Sequence, residues 1–450
     1  MQDLHFRVWS LFLGLVMFIG GAMNLLGRFE PIAQLDTAGY SDFPVDRFEN
    51  ALNSQRTFFY PLILKAFQGM FGSFALLPLF QYAVSALASG TFMATLMRCG
   101  WQPGLALGAT LPIMTSLLVL DYTHLVTPDL VAQSLAILAI SSWLSLLHKG
   151  SGLLQWVLLG TWIFLAYQTK PAYLFLLVFV PFGGAIARWW LFAEQRDSLV
   201  LGVKFAITSF VPFLSWCTLR WVLVGHFGLV AFGGYNVVGI AGQLLQREWV
   251  DELSADVQPL AKEILERREK RNDWNSKISY STYESQYNPM VWEIAVPAAS
   301  KLYGNDSRAM NFELSRFSRE VIATKPVSYL IWLALAANNA VKQCLELTIL
   351  NPMVALSLIA MLLFHSLHWK RRKSKTSAIG PIRSDQAYQT IVWLGIGYAI
   401  CSLTLVILVE TPISRYCGPS AVFIPSLPVM LAVSMFRWIR SQRANQVIHD

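Results

Sequence analysis

Charged residues are scarce in this sequence, and their scarcity excludes several classes of protein. Only 14% of the 450 residues are Asp, Glu, Lys or Arg, against about 25% in typical soluble domains. Apolar residues make up 55%, and the mean hydropathy is +0.46. These values argue against a soluble globular enzyme, a disordered protein and a fibrous protein. They predict an all-α polytopic membrane protein.

Cysteine is scarce as well, and no internal repeat is visible. The five cysteines show neither a CxxC motif nor the spacing of a metal site, which is typical of small core residues. The absence of a repeat weakens the case for a transporter built on inverted repeats. The net charge of +8 comes from basic residues between apolar runs, so it indicates membrane topology rather than nucleic-acid binding.

Long apolar runs predict about ten transmembrane helices of roughly 17–25 residues each. The runs are 8–26, 73–97, 102–120, 128–147, 153–168, 172–192, 199–224, 351–369, 388–409 and 421–438. The first run is longer than the apolar part of a signal peptide, and no A-x-A-like cleavage site follows it. We therefore expect it to remain as a first spanning helix.

Basic residues predict the orientation of these helices. With the N-terminus inside, the cytoplasmic basic segments are Arg98, 148–149, Arg188 with Arg196, 370–375, and Arg437 with Arg440 and Arg443. We therefore expect an integral protein of the bacterial inner membrane. Both termini would be cytoplasmic, and the functional face would be periplasmic or its equivalent.

The predicted organisation has three parts. These are an N-terminal transmembrane module (1–224) with a first outer loop (27–72), a long non-cytoplasmic segment (225–350) and C-terminal transmembrane helices (351–450). The outer segments contain two predicted amphipathic helices, one at 58–71 in the interface and one at 325–350 on the membrane surface. Trp249, Trp274 and Trp292 are candidates for stacking on sugars, with ordinary packing as the alternative.

Polar residues that could carry chemistry gather at the predicted outer side, where an ionisable residue at a span end is a functional hypothesis. Asp36 could remove a proton from a hydroxyl group; a solvated loop acid or a helix N-cap is the alternative. Arg56, Lys170 and Arg415 could bind a phosphate. The alternatives are headgroup anchoring, snorkelling and, for Arg415, an ion pair with Glu410.

Asp121, His124 and Asp129 bracket the turn before the fourth predicted span. A His with two carboxylates could bind a divalent metal, but the spacing matches no specific metal motif. Asp129 follows Pro128 in the first turn of the predicted helix, where the helix dipole favours an acid. We therefore expect neither a cofactor nor a metal.

Four short motifs, in this order along the chain, resemble the GT-C glycosyltransferase superfamily. They are the Asp after the first span, R-x-x-x-Y-P at 56–61, T-K-P at 169–171 and R-Y-x-x-P at 415–419. The most similar branch contains the protein O-mannosyltransferases and the lipid A aminoarabinose transferase. The first-loop acid stands in Asp-Thr-Ala-Gly-Tyr, where the mannosyltransferases have an Asp-Glu pair, so the acceptor stays open.

The resemblance implies a GT-C-like fold and an inverting enzyme. Such an enzyme moves a sugar from a polyprenyl-phosphate donor to a hydroxyl of a glycan, lipid or protein at the non-cytoplasmic face. It also implies that Asp36 is the base and that Arg56, Lys170 and Arg415 lie near the donor phosphate. The residues expected to make further substrate contacts are Tyr40, Asp42, Tyr60, Asp129, Glu410 and Tyr416.

Three alternatives remain beside this interpretation. A polysaccharide polymerase or ligase would also carry outer arginines, but it need not have the early acid. A lipid-linked sugar transporter or flippase predicts charges near the membrane midplane, whereas Lys204 and Arg220 both lie near the ends of the seventh span. A structural membrane protein would not need four polar sites at matching depth. Membrane lipids are expected partners in every case.

Overall fold

The computed structural model describes residues 2–149, 152–192, 195–275, 277, 279–369 and 386–447. Regular structure in this part of the chain is helical, apart from one parallel bridge between Ile32 and Leu125. The predicted basic segment 370–375 lies outside the described residues.

The helices fall into three consecutive groups. The first group is α1 (Gln2–Leu25), α2 (Thr37–Ser41), α3 (Phe48–Asn53), α4 (Phe59–Phe71), α5 (Leu77–Arg98), α6 (Pro103–Met114), α7 (Leu117–Tyr122), α8 (Asp129–Lys149), α9 (Leu153–Thr169), a 3-10 helix (Pro171–Phe175), α10 (Leu176–Phe192) and α11 (Gln195–Val224). The second is α12 (Gly233–Leu244), a 3-10 helix (Arg247–Glu252), α13 (Gln258–Glu269), α14 (Tyr280–Asn288), a π-helix (Pro289–Ala295), α15 (Val296–Tyr303), α16 (Ser307–Thr324) and α17 (Pro326–Ile349). The third is α18 (Pro352–Trp369), α19 (Gln386–Val409), α20 (Ser414–Cys417), a 3-10 helix (Gly418–Ala421) and α21 (Ser426–Val447).

Several of these helices are long and apolar enough to cross a membrane. Six qualify alone: Asp3–Leu25, Leu77–Arg98, Asp129–His148, Pro171–Trp189, Ser198–Val224 and Gln386–Val409. Two further pairs of helices qualify only when each pair is counted as one span. The chain bends by 100° between α16 and α17, and by 41° between Ser414–Ala421 and Ser426–Phe436. The described part of the chain thus has six to eight candidate spans, which fits an all-helical polytopic membrane protein.

One predicted span is broken in the structure, whereas the helix predicted at 325–350 is present. The run 102–120 is not one helix, because α6 ends at Met114 and Ser116 begins α7 by accepting a hydrogen bond from the Val119 amide. A serine that binds this amide favours a new helix start. The segment predicted as a surface helix is α17, whose sharp bend from α16 coincides with Pro326 at its first position, where proline is tolerated.

The described residues form two separate hydrophobic cores. One is built from the candidate membrane helices, and the other from residues between Tyr235 and Ala336. In the second core, α12 approaches its neighbours so closely that a Cβ at Gly234 would collide with the Asn311 backbone. A Cβ at Gly239 would collide with the Tyr287 ring. Small residues therefore fix α12 tightly within segment 225–350.

Candidate functional site

The loop after α1 is held against the turn that precedes α8. The Ile32 amide donates to the His124 carbonyl at 2.8 Å, and the Thr37 hydroxyl donates to the Val126 carbonyl at 3.0 Å. These bonds bring Asp36 beside the start of α8. Asp36 occupies the N-cap position of α2, but its side chain makes no capping bond. Its carboxylate is directed at two arginines instead.

Arg56 is the first of these arginines. Its Nη2 lies 3.2 Å from Asp36 Oδ1, and its guanidinium carbon lies 4.7 Å from the centre of the Tyr40 ring. Gly39 leaves space for the guanidinium, since an added Cβ would lie 3.1 Å from Arg56 Nε. Burial raises the pKa of Tyr40 to about 12. Tyr40 therefore keeps its proton at neutral pH.

Lys170 forms the deepest ion pair of the site. It lies between α9 and a 3-10 helix in an extended conformation, as expected for a residue that precedes proline. Its Nζ lies 2.6 Å from Asp129 Oδ1 and 5.2 Å from the centre of the Tyr416 ring. The Thr57 hydroxyl donates to the Thr169 carbonyl at 3.3 Å. That bond ties the loop of Arg56 to this turn.

Arg415 joins the two ion pairs. Its Nη1 lies 3.0 Å from Asp36 Oδ2, and its Nη2 lies 3.1 Å from Asp129 Oδ2. Gly418 lets this segment approach α7, since a Cβ there would lie 2.9 Å from Leu118. The result is one chain of alternating charges. We call this chain the ionic cluster, and its members are Arg56, Asp36, Arg415, Asp129 and Lys170.

Solvent exposure falls from Asp36 through Arg415 to Asp129 within the ionic cluster. The side chain of Asp36 is 37% exposed, that of Arg415 is 22% exposed, and that of Asp129 is 1% exposed. Three cations and two carboxylates leave a surplus of one positive charge. The outer end of the cluster, formed by Arg56 and Asp36, can therefore attract an anion from the surface. Asp129, at the deep end, is enclosed by its two partners.

Glu410 is a third acid beside the cluster, one residue after the end of α19. Burial raises its pKa to about 7, although a hydrogen bond from Tyr416 and the charges of Lys170 and Arg415 act in the opposite direction. It is therefore partly neutral near physiological pH. Its protonation decides whether the surrounding region carries the surplus positive charge.

Two glutamines with unpaired side-chain amides are near Asp129 and Lys170 in the sequence. Gln133 is one turn beyond Asp129 in α8, and Gln168 precedes Lys170 by two residues. The amide atoms of both glutamines are buried and have no hydrogen-bond partner among the described residues. Buried polar groups normally have a partner, so hydroxyl groups or water could bind here.

The residues considered as metal ligands, Asp121, His124 and Asp129, contact basic side chains instead of one another. Asp121 pairs with Arg28 at 3.4 Å, and an Arg28 nitrogen lies 3.2 Å from His124. Asp129 is held by Lys170 and Arg415. In the described ranges, no group of three or more His, Cys, Asp or Glu side chains is arranged to hold a metal.

An apolar groove of about 420 Å³ lies between α9 and α11, lined by Phe164, Trp216 and neighbouring residues. The ring of Phe58 is centred 5.0 Å from Trp216 and 6.1 Å from Phe164. Phe58 follows Arg56 by two residues. The groove therefore lies close to the outer end of the ionic cluster.

The segment 225–350 contacts the cluster through Phe232, whose ring centre lies 5.7 Å from the Arg56 guanidinium carbon. The three predicted stacking rings differ in their surroundings. Lys325 lies over Trp249 and Arg268 lies over Trp274. Trp292 is 48% exposed.

The structure brings together most of the residues predicted from the sequence. Asp36, Arg56, Lys170, Arg415 and Asp129 are directly linked. The neighbours of this set are Tyr40, Tyr416, Glu410 and Tyr60. Asp42 is outside the set, since it is exposed and accepts a hydrogen bond from Ser41.

Sequence reasoning missed two contacts of the site. One is Phe232, whose sequence context carries no signal. The other is Gln81, which holds the Tyr60 hydroxyl at 3.4 Å and donates to the Thr123 carbonyl at 2.8 Å. A glutamine within an apolar run was a usable signal, because an amide in a membrane helix needs a partner.

No protein-family model matches the sequence, and neither a curated protein nor a solved structure matches the chain. The geometry and charge of the site are therefore the basis for its function.

Proposed function

We propose that this protein is an inverting membrane glycosyltransferase of the GT-C type with about ten spans. It moves a sugar from a polyprenyl-phosphate donor to a hydroxyl acceptor. One observation carries the proposal: Asp36 lies between Arg56 and Arg415, 3.2 and 3.0 Å from their nitrogens. Asp36 and Arg56 share the first loop, whereas Arg415 comes from the far end of the chain. All three are among the residues expected from the sequence to act as the base and to bind the phosphate.

The charge of the ionic cluster fits a phosphodiester. Its surplus of one positive charge equals the single negative charge of a sugar linked through phosphate to a prenyl chain. Arg56 and Arg415 are more exposed than Lys170, and they contact the donor phosphate. Lys170 lies deeper, and it offsets the charge of Asp129. Cations fixed beside the phosphate stabilise the second negative charge that develops on the leaving group.

Donor binding and base activation are coupled in this arrangement. Without donor, both oxygens of the Asp36 carboxylate are paired with guanidinium groups, those of Arg56 and Arg415. A phosphate that takes over those guanidinium groups leaves Asp36 free to accept a proton. The acceptor oxygen then attacks the anomeric carbon as its proton passes to Asp36. The bond from that carbon to the phosphate oxygen breaks, and its electron pair stays on the leaving phosphate. Because the acceptor attacks from the opposite face, this single displacement inverts the anomeric centre.

The prenyl chain occupies the apolar groove between α9 and α11. Phe164, Pro212, Trp216 and Leu219 give the groove an apolar lining, and Phe58 connects it to Arg56. A phosphate at Arg56 with its hydrocarbon chain in this groove would satisfy both halves of an amphipathic donor.

The test compares Asp36→Asn with Asp46→Asn, an exposed acid of the same loop that pairs only locally with Asn50. We expect Asp36→Asn to lower transfer by about 10²–10⁴-fold. Binding of a polyprenyl phosphate to the purified protein should be kept, because both arginines remain. Glycolipids and glycoproteins of a deletion strain complemented with each variant, measured by mass spectrometry, give the readout. Full transfer by Asp36→Asn would refute the role of the base.

A lipid-linked sugar flippase is the second candidate, because the groove and the arginines would hold the same lipid without transfer. A polysaccharide polymerase or ligase would use the same chemistry on a longer acceptor. Purified wild-type protein that binds the donor but forms no glycosidic bond with any acceptor fraction would favour the flippase.

A further inference from the structure

Segment 225–350 presents an aromatic surface next to Arg56. The ring centres of Phe232 and Tyr235 lie 5.3 Å apart, and those of Tyr235 and Trp292 lie 6.0 Å apart. The corresponding interplanar angles are 11° and 28°, so both pairs are stacked. We call these three residues the aromatic platform.

The platform is held rigidly. The buried Tyr235 donates its hydroxyl hydrogen to the Ser307 carbonyl at 3.1 Å. Its neighbour Gly234 packs directly on the Asn311 backbone. Trp292 belongs to the π-helix Pro289–Ala295, and π-helical turns are rare and frequently occur at functional sites. A rigid ring loses little entropy when a ligand stacks on it.

Trp292 is also accessible, and its surroundings are aqueous. It is 48% exposed, although one side of its ring faces Tyr235. The next residue, Glu293, forms an ion pair with Arg271, which also binds Asp273. Such exposed charges are costly in lipid. The ligand of this surface is therefore water-soluble and has an apolar face.

We propose that the aromatic platform binds a sugar ring of the acceptor, which stacks on Trp292. This inference rests on the proposed function. A pyranose fits the site because its C–H face is apolar while its hydroxyls remain in water. Two short steps, 6.2 Å from Trp292 to Phe232 and 5.7 Å from Phe232 to Arg56, connect the platform to the ionic cluster. A sugar on Trp292 therefore lies on the side of segment 225–350 that contacts the ionic cluster.

Saturation-transfer difference NMR on the full-length protein in lipid nanodiscs tests the platform without a donor. The probes are glucose, galactose, mannose and N-acetylglucosamine. For at least one of them, we expect Trp292→Ala to weaken binding at least about fivefold, while Trp292→Phe retains most of it. Phe312→Ala removes an aromatic ring of the same segment that is 58% exposed, and it should leave binding unchanged.

Three outcomes would overturn the inference. The first is a wild-type protein that binds none of the four sugars, and the second is a Trp292→Ala variant that binds them as the wild type does. The third is a Trp292 side chain that faces lipid. Its 5-fluorotryptophan resonance, assigned by its loss in Trp292→Phe, must not be quenched by doxyl-labelled lipids.

The same variants separate this inference from the proposed function. Sugar binding that depends on Trp292, without any transfer by the wild type, would keep the platform and refute the transferase. Transfer by the wild type with an unchanged acceptor KM in Trp292→Ala would keep the transferase and refute the platform.

Discussion

The two carboxylates of the ionic cluster have equal numbers of cationic partners but very different access to water. Asp36 accepts from Arg56 and Arg415, and Asp129 accepts from Lys170 and Arg415. The Asp36 side chain is 37% exposed, and that of Asp129 is 1% exposed. The outer carboxylate can therefore exchange its partners for water or a ligand, whereas the inner carboxylate cannot.

This difference separates chemistry from support within one network. An enclosed charge must keep its counter-ions, because their removal leaves an uncompensated charge in a medium of low dielectric constant. Asp129 accordingly fixes Lys170 and Arg415 in place. Arg415 transmits that order to Asp36, since its guanidinium contacts both carboxylates.

The largest expected effect distinguishes the two carboxylates by stability. Asp129→Ala should destabilise the protein by about 3–5 kcal/mol, because it leaves Lys170 unpaired. Asp36→Ala should cost about 1 kcal/mol or less, since water and the remaining groups compensate at the surface. Denaturant-induced unfolding in detergent micelles, followed by tryptophan fluorescence, measures both.

A double variant provides the control for this comparison. Asp129→Leu with Lys170→Met removes both members of the buried pair, and Arg415 retains its ion pair with Asp36. The double variant should be more stable than Asp129→Leu alone, because no buried charge then lacks its partner. Equal losses for Asp36→Ala and Asp129→Ala would show that the two ends of the cluster do not differ in this way.

The second prediction concerns the arginine that connects both ends. Arg415→Lys keeps the charge, but a single ammonium group cannot reproduce contacts from Nη1 to Asp36 and from Nη2 to Asp129. We expect the affinity for polyprenyl phosphate to fall about tenfold, the equivalent of one charge-assisted hydrogen bond. Arg56→Lys should have a smaller effect, because Arg56 pairs with Asp36 alone among the carboxylates of the described residues. Isothermal titration with polyprenyl phosphate compares the two variants, and equal affinities would contradict the bridging role.

The sequence predicted which residues meet, but not how they are connected. Asp36, Arg56, Lys170 and Arg415 all adjoin the ends of apolar runs, and alternating spans bring every second end to the same side. The enclosed position of Asp129 between Lys170 and Arg415 was not predictable. It depends on the contact between Ile32 and the residues before α8, a tertiary contact without a local sequence signal.

The same limit explains the error in the run 102–120. Hydropathy does not distinguish an apolar run that crosses the membrane as one helix from one that breaks, as this run does after Met114. The break coincides with the hydrogen bond from the Val119 amide to the Ser116 hydroxyl. Likewise, no sequence pattern indicated that Phe232 would lie over Arg56, because the two residues come from separate segments of the chain.

The smallest expected effect is a dependence of donor affinity on pH, which we attribute to Glu410 beside the ionic cluster. Glu410 is surrounded by Tyr416, Lys170, Arg415, Asp36 and Tyr287, and burial raises its pKa to about 7. Below this pH the carboxyl is neutral, and the cluster keeps its surplus positive charge. Above it, the new negative charge cancels the surplus and repels an anionic lipid. The affinity for a sugar-linked polyprenyl phosphate, whose phosphodiester keeps a single negative charge over this range, should therefore fall as pH rises from 6 to 8, by about fivefold for a loss of about 1 kcal/mol.

Glu410→Gln identifies the group responsible for this dependence. A glutamine keeps the shape and the capacity to accept a hydrogen bond from Tyr416, but it cannot ionise. The variant should bind the sugar-linked polyprenyl phosphate across pH 6–8 as tightly as the wild type does at pH 6. If the slope survives in Glu410→Gln, a group other than Glu410 is titrating. Glu410 would then influence donor binding through its position alone, and its protonation would have no part in it.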